Sequence, residues 1–80
     1  MSAMPKSLNL FGQAVRARRE ALGLTQESVA ERCGFDRTYI SMLERGTRNP
    51  SLLNLLKLAK GHGTSVSKLT EVLEGTRARR

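Results

Sequence analysis

QESVAERCGFDRTYISMLER, from Gln26 to Arg45, reads as two short helices hinged at Gly34. A small residue, Ala30, faces the hinge from the first of them. Val29, Cys33, Phe35, Ile40 and Leu43 are apolar and fall where two crossed helices must touch. Arg37, Thr38, Ser41 and Arg45 are polar and fall where the second helix faces out. This division suits a helix-turn-helix, in which the second helix lies in the major groove of double-stranded DNA. Gly34 supplies the left-handed conformation that the tight turn requires.

Working outward, Thr25 caps the first of these helices, residues 26–33, with Glu27 near its positive end. Asp36 caps the second, residues 37–45, and Gly46 ends it. Upstream, Phe11, Ala14, Val15, Arg18 and Leu22 recur at helical spacing and predict an amphipathic helix over 9–22, capped by Ser7 or Asn9 and closed by Gly23. Pro5 is expected to hold off the helix, leaving residues 1–8 as a loose arm. Downstream, Thr47-Arg48-Asn49-Pro50 is a turn signal, and Ser51 caps a helix with Leu52, Leu55, Leu58 and Ala59 inward. Gly61-His62-Gly63 should weaken its end. Ser65 caps a last helix carrying Val66, Leu69, Val72 and Leu73 on one side, Gly75 stops it, and residues 76–80 are a basic tail. No period-2 run marks a strand. The expected architecture is all-α, a compact bundle of five short helices around one core, forming a single domain over 9–75.

Composition narrows the function. A chain of 80 residues buries only about 60–65% of its unfolded surface, so the core is small. One cysteine excludes an internal disulfide and a cysteine-based metal site, and one histidine excludes a His cluster, so no metal or other cofactor is expected. Cys33 reads as a core thiol, and a reducing, cytoplasmic setting fits. No apolar run approaches the roughly 20 residues of a membrane span, and MSAMPKSLNLF is not a secretory signal. The net charge is +7, with ten arginines to four lysines, which points to a polyanion bound by bidentate contacts. Phe11, Phe35 and Tyr39 are too few aromatics for a single-strand stacking platform. Paired carboxylates, a nucleophile–base set and a phosphate loop are all missing, GHGTS being too short for the last, so an enzyme is not expected.

The outward residues carry the chemistry. Arg37 can donate two parallel hydrogen bonds to guanine, and Thr38 can bond a base or phosphate or place its methyl against thymine. Ser41 and Met42 follow one turn later, Met42 offering an apolar contact to a thymine methyl. Phosphate contacts should flank the groove. Gln26 opens the first helix of the motif, where its amide and free backbone N–H groups can hold a phosphate. Arg45, Arg48 and Asn49 follow the second helix, and Tyr39 can pack its ring while its hydroxyl reaches the backbone.

LGLTQESVAERCGFDRTYISMLERGTRNPSL resembles the Cro/cI-type helix-turn-helix regulators, the phage-repressor or xenobiotic-response-element family. The likeness spans Phe11 to Leu73. DRTYIS followed by LERGTRNPSL is especially similar to small bacterial members, including restriction–modification controller proteins. The resemblance implies a lambda-repressor-like DNA-binding domain. It implies that Gln26 anchors a phosphate and bonds toward the start of the recognition helix, and that Arg37, Thr38 and Met42 read bases. It places Tyr39, Arg45, Arg48 and Asn49 near the sugar-phosphate backbone, and Arg19 and Glu44 in an ion pair tying the first helix to the third.

The chain departs from the family pattern at His62 and Thr64, where apolar residues are usual, and Gly61 adds about 1 kcal/mol of helix cost relative to Ala. The end of the fourth helix should therefore be loose. Leu53 stands where a polar residue is common, and with Leu56 it leaves an apolar patch outside the core. One recognition helix reads too few base pairs for a genome, so a homodimer on an inverted repeat is expected, with its helices about 34 Å apart. Leu53, Val66 and Leu69 are the expected dimer contacts. The chain leaves no room for an effector domain, so no small-molecule ligand is expected. The alternative function is an antitoxin-like module that binds a protein partner as well as DNA.

Overall fold

The computed structural model describes residues 5–78, and the side chains of residues 5–74. Among the described residues six helices follow one another: α1 Lys6–Ala21, α2 Gln26–Cys33, α3 Arg37–Glu44, α4 Leu52–Gly61, α5 Val66–Leu69 and α6 Glu71–Ala78. The described residues hold no strand, so the all-α expectation stands. None of their helices is long and apolar enough to cross a membrane.

The helix starts follow local chemistry, with two exceptions. Thr25 and Ser28 form a reciprocal capping box, each side chain bonding the other's backbone N–H at 3.0 Å. Ser51 and Ser65 each accept one backbone N–H, from Asn54 and Lys68, at 3.1 Å. Asp36 is the first exception: it precedes α3 in extended backbone, but its side chain makes no capping bond. Pro5 is the second. It opens α1 rather than delaying it, so the helix starts at Lys6 and neither Ser7 nor Asn9 is its cap. Proline's fixed φ suits a helix start, where its missing N–H costs nothing, and Pro5 O accepts Leu8 N at 3.0 Å. Part of the expected arm is thus helical, while residues 1–4 lie outside the described region.

The expected fifth helix is two helices. At Thr70 the side-chain hydroxyl donates to Val66 O at 2.8 Å, and the backbone turns to begin α6 at Glu71. Val66 O also keeps its helical bond from Thr70 N at 3.0 Å, and the pattern changes after it, where Leu73 N bonds Thr70 O three residues back at 3.0 Å. Gly75 does not stop the chain, since α6 runs on to Ala78, taking in the start of the expected tail. Arg79 and Arg80 lie outside the described residues.

Phe11, Val15, Val29, Ala30, Cys33, Ile40, Leu43, Leu58, Ala59 and Leu69 form the core. Two inward assignments fail. Leu22 lies past the last turn of α1 and is 37% exposed, and Leu52, the first residue of α4, is 68% exposed.

The end of α4 is tight, not loose. Gly61 lies so close to α2 that a Cβ on it would meet Cys33 Sγ and stand 2.9 Å from Cys33 Cα. His62 is fully buried. Its Nδ1 lies 2.7 Å from Leu58 O, which fixes the proton on Nδ1, and its Nε2 has no hydrogen-bond partner. Burial lowers the pKa of His62 from its ordinary value, outweighing the bond to Leu58 that raises it. Arg18 closes the end from α1: Nε donates to His62 O at 2.8 Å and Nη2 to Gly63 O at 2.9 Å. Burial also raises the pKa of the Cys33 thiol, which keeps it protonated as a core group.

Candidate nucleic-acid interface

α3 is divided lengthwise. Ile40 and Leu43 are 0% and 1% exposed on its inner side. Arg37 and Thr38 are exposed at its first turn, Ser41 and Met42 are half-buried one turn on, and Arg45 is exposed at its end. The sequence-predicted base-reading residues therefore share one helix surface. The turn before it forms as expected: Gly34 has φ 82° and Phe35 N donates to Ala30 O at 2.9 Å.

α3 is held from behind by a buried charged network. Arg19 of α1 grips Glu44 with two parallel bonds from one edge of its guanidinium, Nε to Oε2 at 2.7 Å and Nη2 to Oε1 at 3.1 Å. Its Nη1 donates to Leu24 O at 2.9 Å. The side chains of Arg19 and Glu44 are 11% and 4% exposed. The Glu44 hydrogen bond raises the Arg19 pKa above its ordinary value. Fork-to-fork pairing of this kind fixes orientation as well as position, so α1 sets the angle of α3. The expected ion pair is present.

Gln26 joins this network. Its Nε2 donates to Glu44 Oε1 at 2.9 Å. It therefore bonds the last residue of α3, not the first, which corrects the expected direction. One N–H of the amide is engaged inside the protein, and with the Ser28 N–H taken by the capping box, the first turn of α2 offers an anion the backbone N–H groups of Gln26 and Glu27.

Tyr39 packs its ring on Phe35, with centroids 4.7 Å apart, and against the core. Its hydroxyl oxygen accepts Asn54 Nδ2 at 2.9 Å, leaving its own O–H as a donor. Arg48 and Asn49 are exposed in the loop after α3. Arg48 Nε donates to Met42 Sδ at 3.2 Å. On α4, Leu53 and Leu56 are 69% and 52% exposed, as the apolar patch requires, and Leu52 extends it. Val66 is half-buried against the core, and Leu69 is 3% exposed within it. Leu69 is thus spent inside its own chain and is not a surface for a second copy.

Sequence reading missed four residues. Gly12 lets α1 touch the end of α3: a Cβ there would meet Leu43 O and lie 2.7 Å from Glu44 O. A glycine inside a helix pattern was its signal. Gly61 reads in the sequence as a weakness, so its close approach to Cys33 is what goes unread. Arg18 was placed on the apolar side of α1 without a partner, and Asn54 carried no signal at all.

Among known proteins, a family model described as helix-turn-helix matches residues 15–69. An uncharacterised HTH-type transcriptional regulator, y4dJ, of Sinorhizobium fredii is 48% identical over 76% of this chain and 78% of its own. The control protein C.BamHI of Bacillus amyloliquefaciens is 46% identical over 78% of each chain. The solved structure of the restriction–modification controller protein C.AhdI from Aeromonas hydrophila superposes with a TM-score of 0.79 at 45% identity, covering 81% of this chain and 98% of that one.

Proposed function

Because the chain belongs to the helix-turn-helix family of DNA-binding transcriptional regulators, which are not enzymes, we propose that it binds an inverted-repeat duplex site as a homodimer, acting as a restriction–modification controller. The observation that carries this reading is the two-sided α3: apolar and sealed at Ile40 and Leu43, polar and open at Arg37 and Thr38.

In this reading α3 enters the major groove with Arg37 bidentate to guanine and Thr38, Ser41 and Met42 on neighbouring base edges. The backbone is held on one side by the N–H groups of the first turn of α2 at Gln26. On the other side Arg45, Arg48 and Asn49 follow the strand, and the Tyr39 O–H donates to a phosphate. The charge of +7 suits association with DNA. Base contacts then select a sequence while phosphate contacts set register. The exposed Leu53, with Leu52 and Leu56, supports a dimer surface on α4 beside Val66. A cytoplasmic location follows from this role.

Those exposed leucines equally favour the antitoxin-like reading, in which a different polypeptide covers them. Selection of bound duplex from a random pool tests the first reading, and a palindromic consensus is expected. Light scattering with and without that duplex tests the dimer. A monomer at high concentration on a non-repeating site overturns the dimer, and a stoichiometric foreign polypeptide on the α4 surface favours the alternative.

A further inference from the structure

Met42 holds the loop after α3 twice over. Its carbonyl accepts Thr47 N at 3.0 Å and Thr47 Oγ1 at 3.1 Å. Its thioether accepts Arg48 Nε at 3.2 Å. An exposed arginine ordinarily samples many rotamers, and ordering one on binding costs free energy. A carboxylate placed here would restrain Arg48 but would also oppose its charge toward a phosphate. A thioether is a weak, neutral acceptor. It engages one N–H, keeps the full positive charge, and leaves the terminal NH2 groups of the guanidinium for another partner.

We propose that Met42 is a positioning residue for Arg48, holding the guanidinium by its Nε–H so that its free end meets the DNA backbone already oriented. This rests on the DNA-binding reading and extends it. Met42 then contributes to affinity through Arg48 beyond any contact its own methyl makes with a base. Met42→Leu keeps the apolar bulk and removes the acceptor, which separates the two roles.

The test is a double-mutant cycle of Met42→Leu and Arg48→Ala on the duplex selected by the wild-type protein, with salt titrations of each variant. Met42→Leu should weaken binding about three- to tenfold in the wild-type background and not at all in Arg48→Ala. Its salt slope should stay at the wild-type value, because the charge is kept, whereas Arg48→Ala should flatten the slope. In the free protein, the Arg48 Nε–H should exchange slowly with solvent, and Met42→Leu should abolish that protection. An equal loss in both backgrounds, or an unprotected Nε–H in the wild type, overturns the proposal alone. A protected Nε–H in a protein that selects no duplex overturns the DNA-binding reading, and the proposal with it.

Discussion

Arg18 and Arg19 are neighbours on α1, and they brace different regions by different chemistry. Arg19 reaches the end of α3 and pairs with a carboxylate that is 4% exposed. Arg18 reaches the end of α4 and caps two neutral carbonyls, one part-buried and one exposed. On the α3 side, position is set by a charge pair largely withdrawn from solvent. On the α4 side it is set mainly by close packing, at Gly61 and His62, with the arginine as a lid. The orientation of α3 thus depends on a specific bond, whereas the rear of the domain depends on fit.

Breaking the charged brace should have the largest effect. Arg19→Ala leaves Glu44 buried with only Gln26 as a partner, and losing one member of a buried pair costs about 3–5 kcal/mol. For so small a domain that is enough to unfold it, as denaturant melts of Arg19→Ala and of Glu44→Ala should both report. Gly61→Ala probes the other region. Helix propensity alone would make it stabilising by about 1 kcal/mol, but the backbone of Cys33 stands in the way of the new methyl. Overpacking should win, with a net loss of about 1–3 kcal/mol. A more stable Gly61→Ala protein would show that fit does not govern this end.

Acid should act on the same region. His62 has a folded pKa below its ordinary value of 6.5. The unfolded chain therefore binds the proton first as pH falls, and stability present above 6.5 is lost between that value and the lower folded pKa. The slope within this window is at most about 1.4 kcal/mol per pH unit. Melts at about pH 7.5 and about pH 5.5, one unit on either side of the ordinary value, should differ for wild type and much less for His62→Leu. The smallest effect is expected for Arg18→Ala, about 1 kcal/mol, because at least one of its carbonyls can be rehydrated. A loss as large as that of Arg19→Ala would erase the distinction between the two braces.

The same contrast explains what was legible in the sequence. α2 matched its expected bounds, and α3 ended one residue early, because Thr25 and Gly34 act through their own neighbours in the chain. The outward row Arg37, Thr38, Ser41 and Met42 follows from helical periodicity, once Ile40 and Leu43 are taken as inner. Gly61 and His62 were misread because their meaning lies on α2, where Cys33 meets the glycine. A glycine that permits contact and one that weakens a helix look identical in sequence. Leu69 was offered to a second copy for a similar reason: periodicity marks an apolar face but not which partner covers it. The chain turns between two helices at Thr70, and no local pattern announces it. Pro5 was read by its usual effect inside helices, although the same fixed φ suits a start.

If the open side of α3 reads base pairs, Arg37 must discriminate between them. The direct measurement is the affinity of wild type and Arg37→Ala for the selected duplex and for its single-base-pair variants at one salt concentration. Loss of about 1–3 kcal/mol on the selected site, with discrimination relaxed at one base pair, is the predicted result. An equal loss on every sequence would contradict it, and would make Arg37 another phosphate contact.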